Sequence, residues 1–225
     1  MRRQLSMLSL SLIATWVLSG AAPAPRSGLS ADPTPGRSAA QAPVTFQIQG
    51  QPAGLYGNVY TPPRPAFDFT LPASTGQQVR LSDYRGRVVL LFFGYTACPD
   101  VCPTTLADIK NALLQVGVEA SAVTVLLITV DPARDTPAHL ADYLGYFHEA
   151  GYVGLSGSEA ETAAIAYQYG AKFQREAGET ATGGYTMAHT SRLFLINRRG
   201  EWAMTMNYGT PPDQLAANLH YWLAQ

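Results

Sequence analysis

The chain has 225 residues, and its hydrophobic content of 47% is enough for one well-buried domain with appended segments, which argues against disorder along its whole length. Charged residues make up only 14%, and the formal net charge is −1. Because the chain has no surplus of basic residues to neutralise phosphates, we expect no nucleic-acid partner.

The first 24 residues have the pattern of an export signal. Arg2 and Arg3 precede an uncharged apolar run at 5–18, and small residues follow at 19–24. The run is short for a membrane span, which needs about 20 residues, although an uncleaved anchor stays open. We therefore expect residues 1–24 to be a signal peptide or membrane anchor, and the rest to be extracytoplasmic, secreted or anchored by this segment.

Residues 25–65 are rich in proline, glycine and alanine, with a few apolar side chains towards the end. This composition predicts a flexible tether that becomes ordered only near its end. The folded domain is then expected to cover residues 66–225.

Strand and helix signals alternate through that domain. Phe67–Leu71 and Gln78–Arg80 are predicted to form a short hairpin. Val88–Phe93 is a continuous apolar run between two glycines, which is typical of a strand buried on both faces. The further predicted elements, in chain order, are a helix at 103–116, a strand at 123–130, a helix from Pro137 capped by Asp135 or Thr136, a helix at 159–169, strands at 192–196 and 201–206, and a helix from Pro212 or Asp213 to Leu223.

Two buried strands joined by a helix form a parallel βαβ unit, and the later hairpin and helix complete one sheet. The sequence therefore predicts an α/β protein with a thioredoxin-like fold: a mixed central sheet flanked by helices, with an N-terminal hairpin extension. The loops after the core strands are expected to meet at one edge of the sheet, where ligands usually bind.

The only two cysteines, Cys98 and Cys102, lie in the loop after the first core strand, in GYTACPDVCPTT. A proline follows each cysteine and disfavours a helical backbone there, so both are expected to be extended or in turns. Pro103 suits the first position of a helix. Cys102 would then be the cap residue, where the helix dipole favours thiolate over thiol.

Several roles for this pair stay open on the residues alone. A lone pair in an exported protein can form a simple disulfide. Thiol–disulfide exchange would use Cys98 and Cys102 as catalytic residues, although their spacing is one residue wider than the usual motif. Metal binding suits the wider spacing, because two thiolates in a loop can hold a soft ion that a third ligand completes.

His189 is the candidate third ligand. It precedes the last pair of core strands, at the edge where the cysteine loop is expected, and the usual proline of a thiol-exchanging thioredoxin does not occur there. An incidental role for His189 stays open. The other histidines, His139, His148 and His220, are in or at the ends of predicted helices and are interpreted as solvated surface residues.

Five segments carry a resemblance to a known family: FTL at 69–71, LLFFGYTACPDVCPTTL at 90–106, VDPARDTPAHLADYL at 130–144, VGLSGS at 153–158 and YTMAHTSRLFLIN at 185–197. In order and spacing they resemble the Sco (SenC) family of copper-binding proteins, which support assembly of cytochrome c oxidase. The resemblance covers most of the chain from about residue 66, and the GYTxCPDVCP and VDPxRDTP motifs are highly specific.

The resemblance implies that Cys98, Cys102 and His189 bind one copper ion, as Cu(I) or Cu(II). It implies a copper metallochaperone whose partner is the copper-bearing subunit of the oxidase or another copper chaperone. The alternative is an extracytoplasmic thiol–disulfide oxidoreductase with a thiol reductant as partner, and a third reading is a redox or copper sensor. We expect a monomer, tethered to the membrane if the leader is retained.

Some residues near the motifs carry further expectations. The family commonly has aspartate before the histidine, and Ala188 stands here instead, which removes a carboxylate that could support the ligand. Asp131 is expected to lie near the metal without binding it, or to form an Asp-Pro turn. Arg134 and Asp135 are interpreted as a local ion pair and a helix cap. Packing in the core or on a sheet face is expected of two methionines, Met204 and Met206.

A loop over Gln174–Gly184, with three glycines and little that could pack, is expected to move and to let His189 swing towards an arriving metal ion.

Overall fold

A computed structural model describes residues 52–147, 151–177 and 184–225. The predicted signal or anchor at 1–24, the tether residues 25–51 and His148 lie outside these ranges. Within them, no helix has the length and apolar character that a bilayer crossing requires.

Ten strands and four α-helices form the described part of the chain. The strands are β1 (Asn58–Pro65), β2 (Thr70–Pro72), β3 (Gln78–Arg80), β4 (Val88–Gly94), β5 (Val123–Thr129), β6 (Tyr152–Leu155), β7 (Phe173–Ala177), β8 (Tyr185–His189), β9 (Arg192–Ile196) and β10 (Glu201–Asn207). The helices are α1 (Val101–Val116), α2 (Pro137–Gly145), α3 (Glu159–Gln168) and α4 (Pro212–Leu223).

Six of the strands form one mixed sheet in the order β1-β10-β9-β4-β5-β6. β4 pairs in parallel with β5 and antiparallel with β9, so the predicted βαβ unit and closing hairpin are confirmed. β2 and β3 form the predicted N-terminal hairpin. The mixed α/β sheet with flanking helices is therefore the architecture that the sequence predicts.

β4 is buried along its whole length because it lies between two hydrophobic layers. Val88, Leu90 and Phe92 belong to the layer that contains α1, α2 and α4. The intervening side chains of β4 belong to the opposite layer, which contains β2, α3 and Met187 of β8. Successive side chains of a strand point to opposite faces, so a strand with two covered faces needs a continuous apolar run.

β1 moves the predicted domain boundary at residue 66, because the last eight residues of the predicted tether are a strand of the central sheet. β1 pairs with β10 at the sheet edge, with a shift of register between Val59 and Arg64. Proline is tolerated on an edge strand, where a missing amide proton costs no ladder bond, so the proline-rich composition resembles a linker although the segment is paired. The sheet thus begins before residue 66.

The start of α1 is also earlier than predicted. The helix begins at Val101, after Asp100, so Cys102 is in the first turn and is not the cap residue. Pro103 is accommodated because the first four amide groups of a helix have no partner within the helix, and a missing one there leaves no acceptor unpaired. The cap of α2 is Thr136, whose side chain accepts from the His139 amide at 3.2 Å.

Besides β1, three strands were absent from the prediction, namely β6, β7 and β8. β7 and β8 pair antiparallel with each other in a separate two-stranded sheet, with Phe173 opposite His189. The first residues of the predicted mobile loop, Gln174–Ala177, are therefore part of a strand. Residues 178–183 of that loop lie outside the described ranges.

We predict that Gly94→Ala destabilises the domain, because a Cβ atom at Gly94 would lie 2.9 Å from Cys102 Sγ and 3.1 Å from Leu127 Cδ1. Overpacking of this kind costs about 1–3 kcal/mol of the free energy of unfolding, measured by urea denaturation. Gly145→Ala is the matched control, since no atom lies within 4 Å of the added Cβ at this helical position. Equal stability of the two variants would contradict the close contact.

Candidate metal centre

The structure brings Cys98, Cys102 and His189 together at one edge of the central sheet. Their ligand atoms all lie within 4.8 Å of one another, and Cys102 Sγ is 3.6 Å from His189 Nε2. The three residues come from the β4–α1 loop, the first turn of α1 and the last position of β8. Cys102 is buried, whereas Cys98 and His189 are half-buried.

The cysteine loop is held by hydrogen bonds at both ends. The Cys98 amide donates to the Tyr95 carbonyl at 3.4 Å, which closes a turn after β4. The Cys102 amide donates to Cys98 Sγ at 3.4 Å. The amide groups at the start of α1 thus face a sulfur atom, and such groups favour a negative charge.

The two thiols have opposite pKa shifts. The pKa of Cys98 is lowered to about 3, first because the Cys102 thiol donates a hydrogen bond to it, with further support from the His189 side chain and from the backbone amides of Asp100 and Cys102. The pKa of Cys102 is raised by that same hydrogen bond, by burial and by the charge on Cys98. The sequence assigned the thiolate to Cys102 at a helix cap, and the structure assigns it to Cys98.

The His189 ring is oriented with one nitrogen towards the sulfurs. Its Nδ1 lies 3.3 Å from the Thr190 carbonyl oxygen, which can only accept, so a proton on Nδ1 has a partner there. Nε2 lies on the side of Cys102 Sγ. The ring also packs edge-on against Tyr95, with centroids 5.8 Å apart. A histidine fixed by its second nitrogen in this way is typical of a metal ligand.

These donors fit one soft metal ion. With metal–ligand bonds of about 2.0–2.3 Å, three ligands in a plane around an ion lie about 3.5–4 Å apart, close to the sulfur–nitrogen distance here. Two thiolates select soft ions such as Cu(I), and imidazole also suits Cu(II). The geometry therefore supports a three-ligand centre.

The other histidines of the described ranges do not join this group. His139 Nε2 contacts Thr96 Oγ1 at 3.1 Å, and His220 Nδ1 lies 3.5 Å from a Glu119 carboxylate oxygen. Both are exposed. Met204 and Met206 are buried, and their sulfurs accept hydrogen bonds from α4, which confirms the predicted packing role.

Asp135 is a site residue that the sequence did not reveal. It is fully buried, and its carboxylate accepts from the Thr96 amide at 2.9 Å, the Thr96 hydroxyl at 2.5 Å and the Thr129 hydroxyl at 2.6 Å. It therefore ties the cysteine loop to the end of β5. The predicted ion pair with Arg134 is wrong. Threonines at the carboxyl ends of two adjacent parallel strands, Thr129 as the last residue of β5 and Thr96 just after β4, were the signal that could have indicated this contact.

Arg134 pairs with Asp131, whose buried carboxylate also accepts from the Tyr185 hydroxyl at 2.8 Å. Asp131 is thus connected to His189 through Tyr185 and the backbone of β8. Ala188 faces Gln174 in the β7–β8 pairing and lines an open groove beside His189.

We predict that alkylation by iodoacetamide at mildly acidic pH modifies Cys98 and spares Cys102, because only a thiolate reacts and only the pKa of Cys98 is lowered. In Cys102→Ala the pH midpoint of Cys98 alkylation should rise towards the ordinary thiol value of about 8.5, since the main hydrogen-bond donor is lost. Mass spectrometry of the labelled peptides measures both. First labelling of Cys102 would overturn the assignment.

Known proteins with the same organisation were found by sequence and by structure. A relative from Stutzerimonas stutzeri is 41% identical over 117 residues, which are 52% of this chain and 56% of that protein. The SCO2 homologue of Danio rerio mitochondria is 36% identical over 157 residues, 68% of this chain and 54% of that one. The chain thus spans little more than half the length of these relatives.

Among solved structures, Bradyrhizobium japonicum ScoI with copper bound is 37% identical, with a TM-score of 0.63 over 70% of this chain and 99% of that one. Apo Sco1 from Thermus thermophilus is 35% identical, with a TM-score of 0.66 over 74% of this chain and 96% of that one. The SCO1/SenC family model matches residues 61–224, and the chain therefore belongs to the SCO1/SenC family.

Proposed function

We propose that this protein binds one copper ion through Cys98, Cys102 and His189 and delivers it during assembly of the binuclear copper site of cytochrome c oxidase. The observation that carries the proposal is the meeting of two sulfurs and one imidazole nitrogen within 4.8 Å. The copper-bound Bradyrhizobium relative supports copper as the metal.

Charge favours the monovalent ion in this site. Cu(I) with two thiolates has a net charge of −1, and the amide groups at the start of α1 face that charge. Cu(II) would depend more on the His189 imidazole, because a harder ion prefers nitrogen to sulfur.

Unequal exposure of the ligands suits a transfer protein. Cys98 and His189 are half-buried and accessible to an incoming ligand, whereas only 1% of Cys102 is exposed. An acceptor would therefore replace Cys98 or His189 first, and the ion would stay on Cys102 until the acceptor holds it. Stepwise exchange of this kind avoids release of free copper.

The acceptor is proposed from the family. BsSco, whose fold this chain shares at 21% identity, is a member of the Sco family of cytochrome c oxidase assembly proteins. We place the activity outside the cytoplasm on the leader pattern of residues 1–24. The part of the predicted tether (residues 25–65) that precedes β1 would link the leader to the domain, and the domain would act as a monomer.

Thiol–disulfide exchange is the second candidate, favoured by the lowered pKa of Cys98. The Cys98 thiolate would attack one sulfur of an acceptor disulfide and form a mixed disulfide while the other sulfur leaves as a thiolate. Cys102, after losing its proton, would attack Cys98 Sγ and release the reduced acceptor. The product is a Cys98–Cys102 disulfide, and an external dithiol would reduce it again.

We predict that the reduced domain binds one Cu(I) ion tightly in anaerobic competition with a chelator and that His189→Ala weakens the affinity by at least about 10-fold, since a ligand contributes no less than the residues that support it. His220→Ala is the matched control, since His220 is exposed and pairs with Glu119. Equal Cu(I) affinity of wild type and His189→Ala would show that the three-ligand site is wrong.

A second prediction separates the two candidate functions. Copper-loaded protein mixed with the reduced copper-bearing domain of an oxidase subunit should lose its metal to that domain, measured by the copper content of the two proteins after their separation. Metal-free His189→Ala should still reduce an oxidised acceptor if exchange is the physiological reaction, because exchange needs only the two cysteines. Reduction without any copper transfer would favour the oxidoreductase.

A further inference from the structure

His189 lies on a hairpin that is not hydrogen-bonded into the central sheet. β8 pairs with β7 alone, whereas both cysteines follow β4 of the six-stranded sheet. Backbone pairing in the sheet reaches His189 through Thr190 and Ser191, which lead into β9. Side-chain contacts between β8 and the loops after β4 and β5 add to this connection and hold the strand against the cysteine loop.

The strongest of these contacts involve Tyr185, the first residue of β8. Its hydroxyl donates to the buried Asp131 carboxylate at 2.8 Å, and its carbonyl oxygen accepts from Arg134 Nη1 at 3.3 Å. The Arg134 guanidinium pairs with Asp131 and lies 3.9 Å from the centre of the Tyr185 ring. The ring, hydroxyl and backbone of one residue are thus all fixed to the loop after β5.

A second set of contacts reaches the same strand through Tyr95, the first residue after β4. The Met187 amide donates to the Tyr95 hydroxyl at 3.4 Å, and the Tyr95 ring packs edge-on against His189. The Arg134 guanidinium lies 5.8 Å from the Tyr95 ring centre, so both sets meet at this side chain.

The spacing along β8 explains why these contacts act together. Tyr185, Met187 and His189 are two residues apart, and alternate residues of a strand share a face. Fixing the first two therefore also fixes the direction of the third. The contacts with Asp131 and Tyr95 therefore hold the face of β8 that carries the candidate ligand.

We propose that Arg134, Asp131 and Tyr185 form a clamp that positions His189 Nε2 against the two sulfurs, with Arg134 as the central positioning residue. The inference rests on the proposed copper function. It adds that the clamp residues raise the metal affinity although none of them binds the metal. Without the clamp, the hairpin would have to be ordered by the ion, and the cost of ordering would lower the affinity.

The chain offers a matched pair of arginines for the test. Arg175 lies on β7, is exposed, and places its guanidinium 4.2 Å from the same Tyr185 ring. Arg134→Met removes the clamp, whereas Arg175→Met removes only a contact on that ring. We expect Arg134→Met to weaken Cu(II) binding about 10- to 100-fold and to reduce the thiolate-to-Cu(II) absorption band, with Arg175→Met close to wild type.

A double variant tests whether Arg134 acts through His189. In the His189→Ala background, Arg134→Met should change Cu(II) affinity by no more than about twofold, because the ligand that it positions is already absent. Additive losses, or equal behaviour of Arg134→Met and Arg175→Met, would overturn the proposal.

Two further measurements cover the cases in which the main variant or the copper function fails. Should Arg134→Met not fold, Tyr185→Phe removes only the hydroxyl contact and should weaken Cu(II) binding in the same direction. In the metal-free protein, the nuclear Overhauser contact between the Tyr95 and His189 rings should vanish in Arg134→Met and persist in Arg175→Met. This contrast tests the clamp even if wild type binds no copper, and persistence of the contact in both variants contradicts it.

Discussion

The site depends on the register of two parallel strands. β4 and β5 pair from Val88 opposite Val123 to Gly94 opposite Thr129, so both strands end at the same level. The cysteine loop follows β4, and the loop with Asp131 and Asp135 follows β5, so both loops leave the same edge of the sheet. A shift of one residue would turn each apolar side chain to the wrong layer, so the core that fixes this register also fixes the distance between the loops.

Within that frame, buried carboxylates serve two loops in different ways. Asp135 receives three hydrogen bonds and holds the cysteine loop through Thr96. Asp131 pairs with Arg134, accepts a hydrogen bond from the Tyr185 hydroxyl, and so holds β8, the strand that ends at His189. A buried carboxylate is costly unless its oxygens are paired, so each of these groups favours a single arrangement of its loop. Two short polar networks thus fix the positions of the cysteine loop and of β8, which the hydrophobic layers alone do not determine.

Much of this arrangement could be predicted from the sequence. The runs VVLLFF and VTVLLITV are typical of strands with two covered faces, and their crossover places the following loops together. β7 could not be found in the same way, because FQREA is mostly exposed and is stabilised by its partner strand more than by its own pattern. Asp135 was misread because its partners are distant in sequence, and capping rules describe only local contacts.

The pairing of β7 with β8 alone has a consequence for how such a protein can change. The cysteines belong to the scaffold that holds the fold together, whereas the histidine belongs to an appended hairpin. Substitutions at the exposed positions of the hairpin can therefore retune metal preference with little loss of folding stability, whereas Met187, Phe173 and Tyr185 pack against the core. The alanine before His189 is one such variation, and the stability of the domain and the chemistry of its cargo can evolve as separate traits.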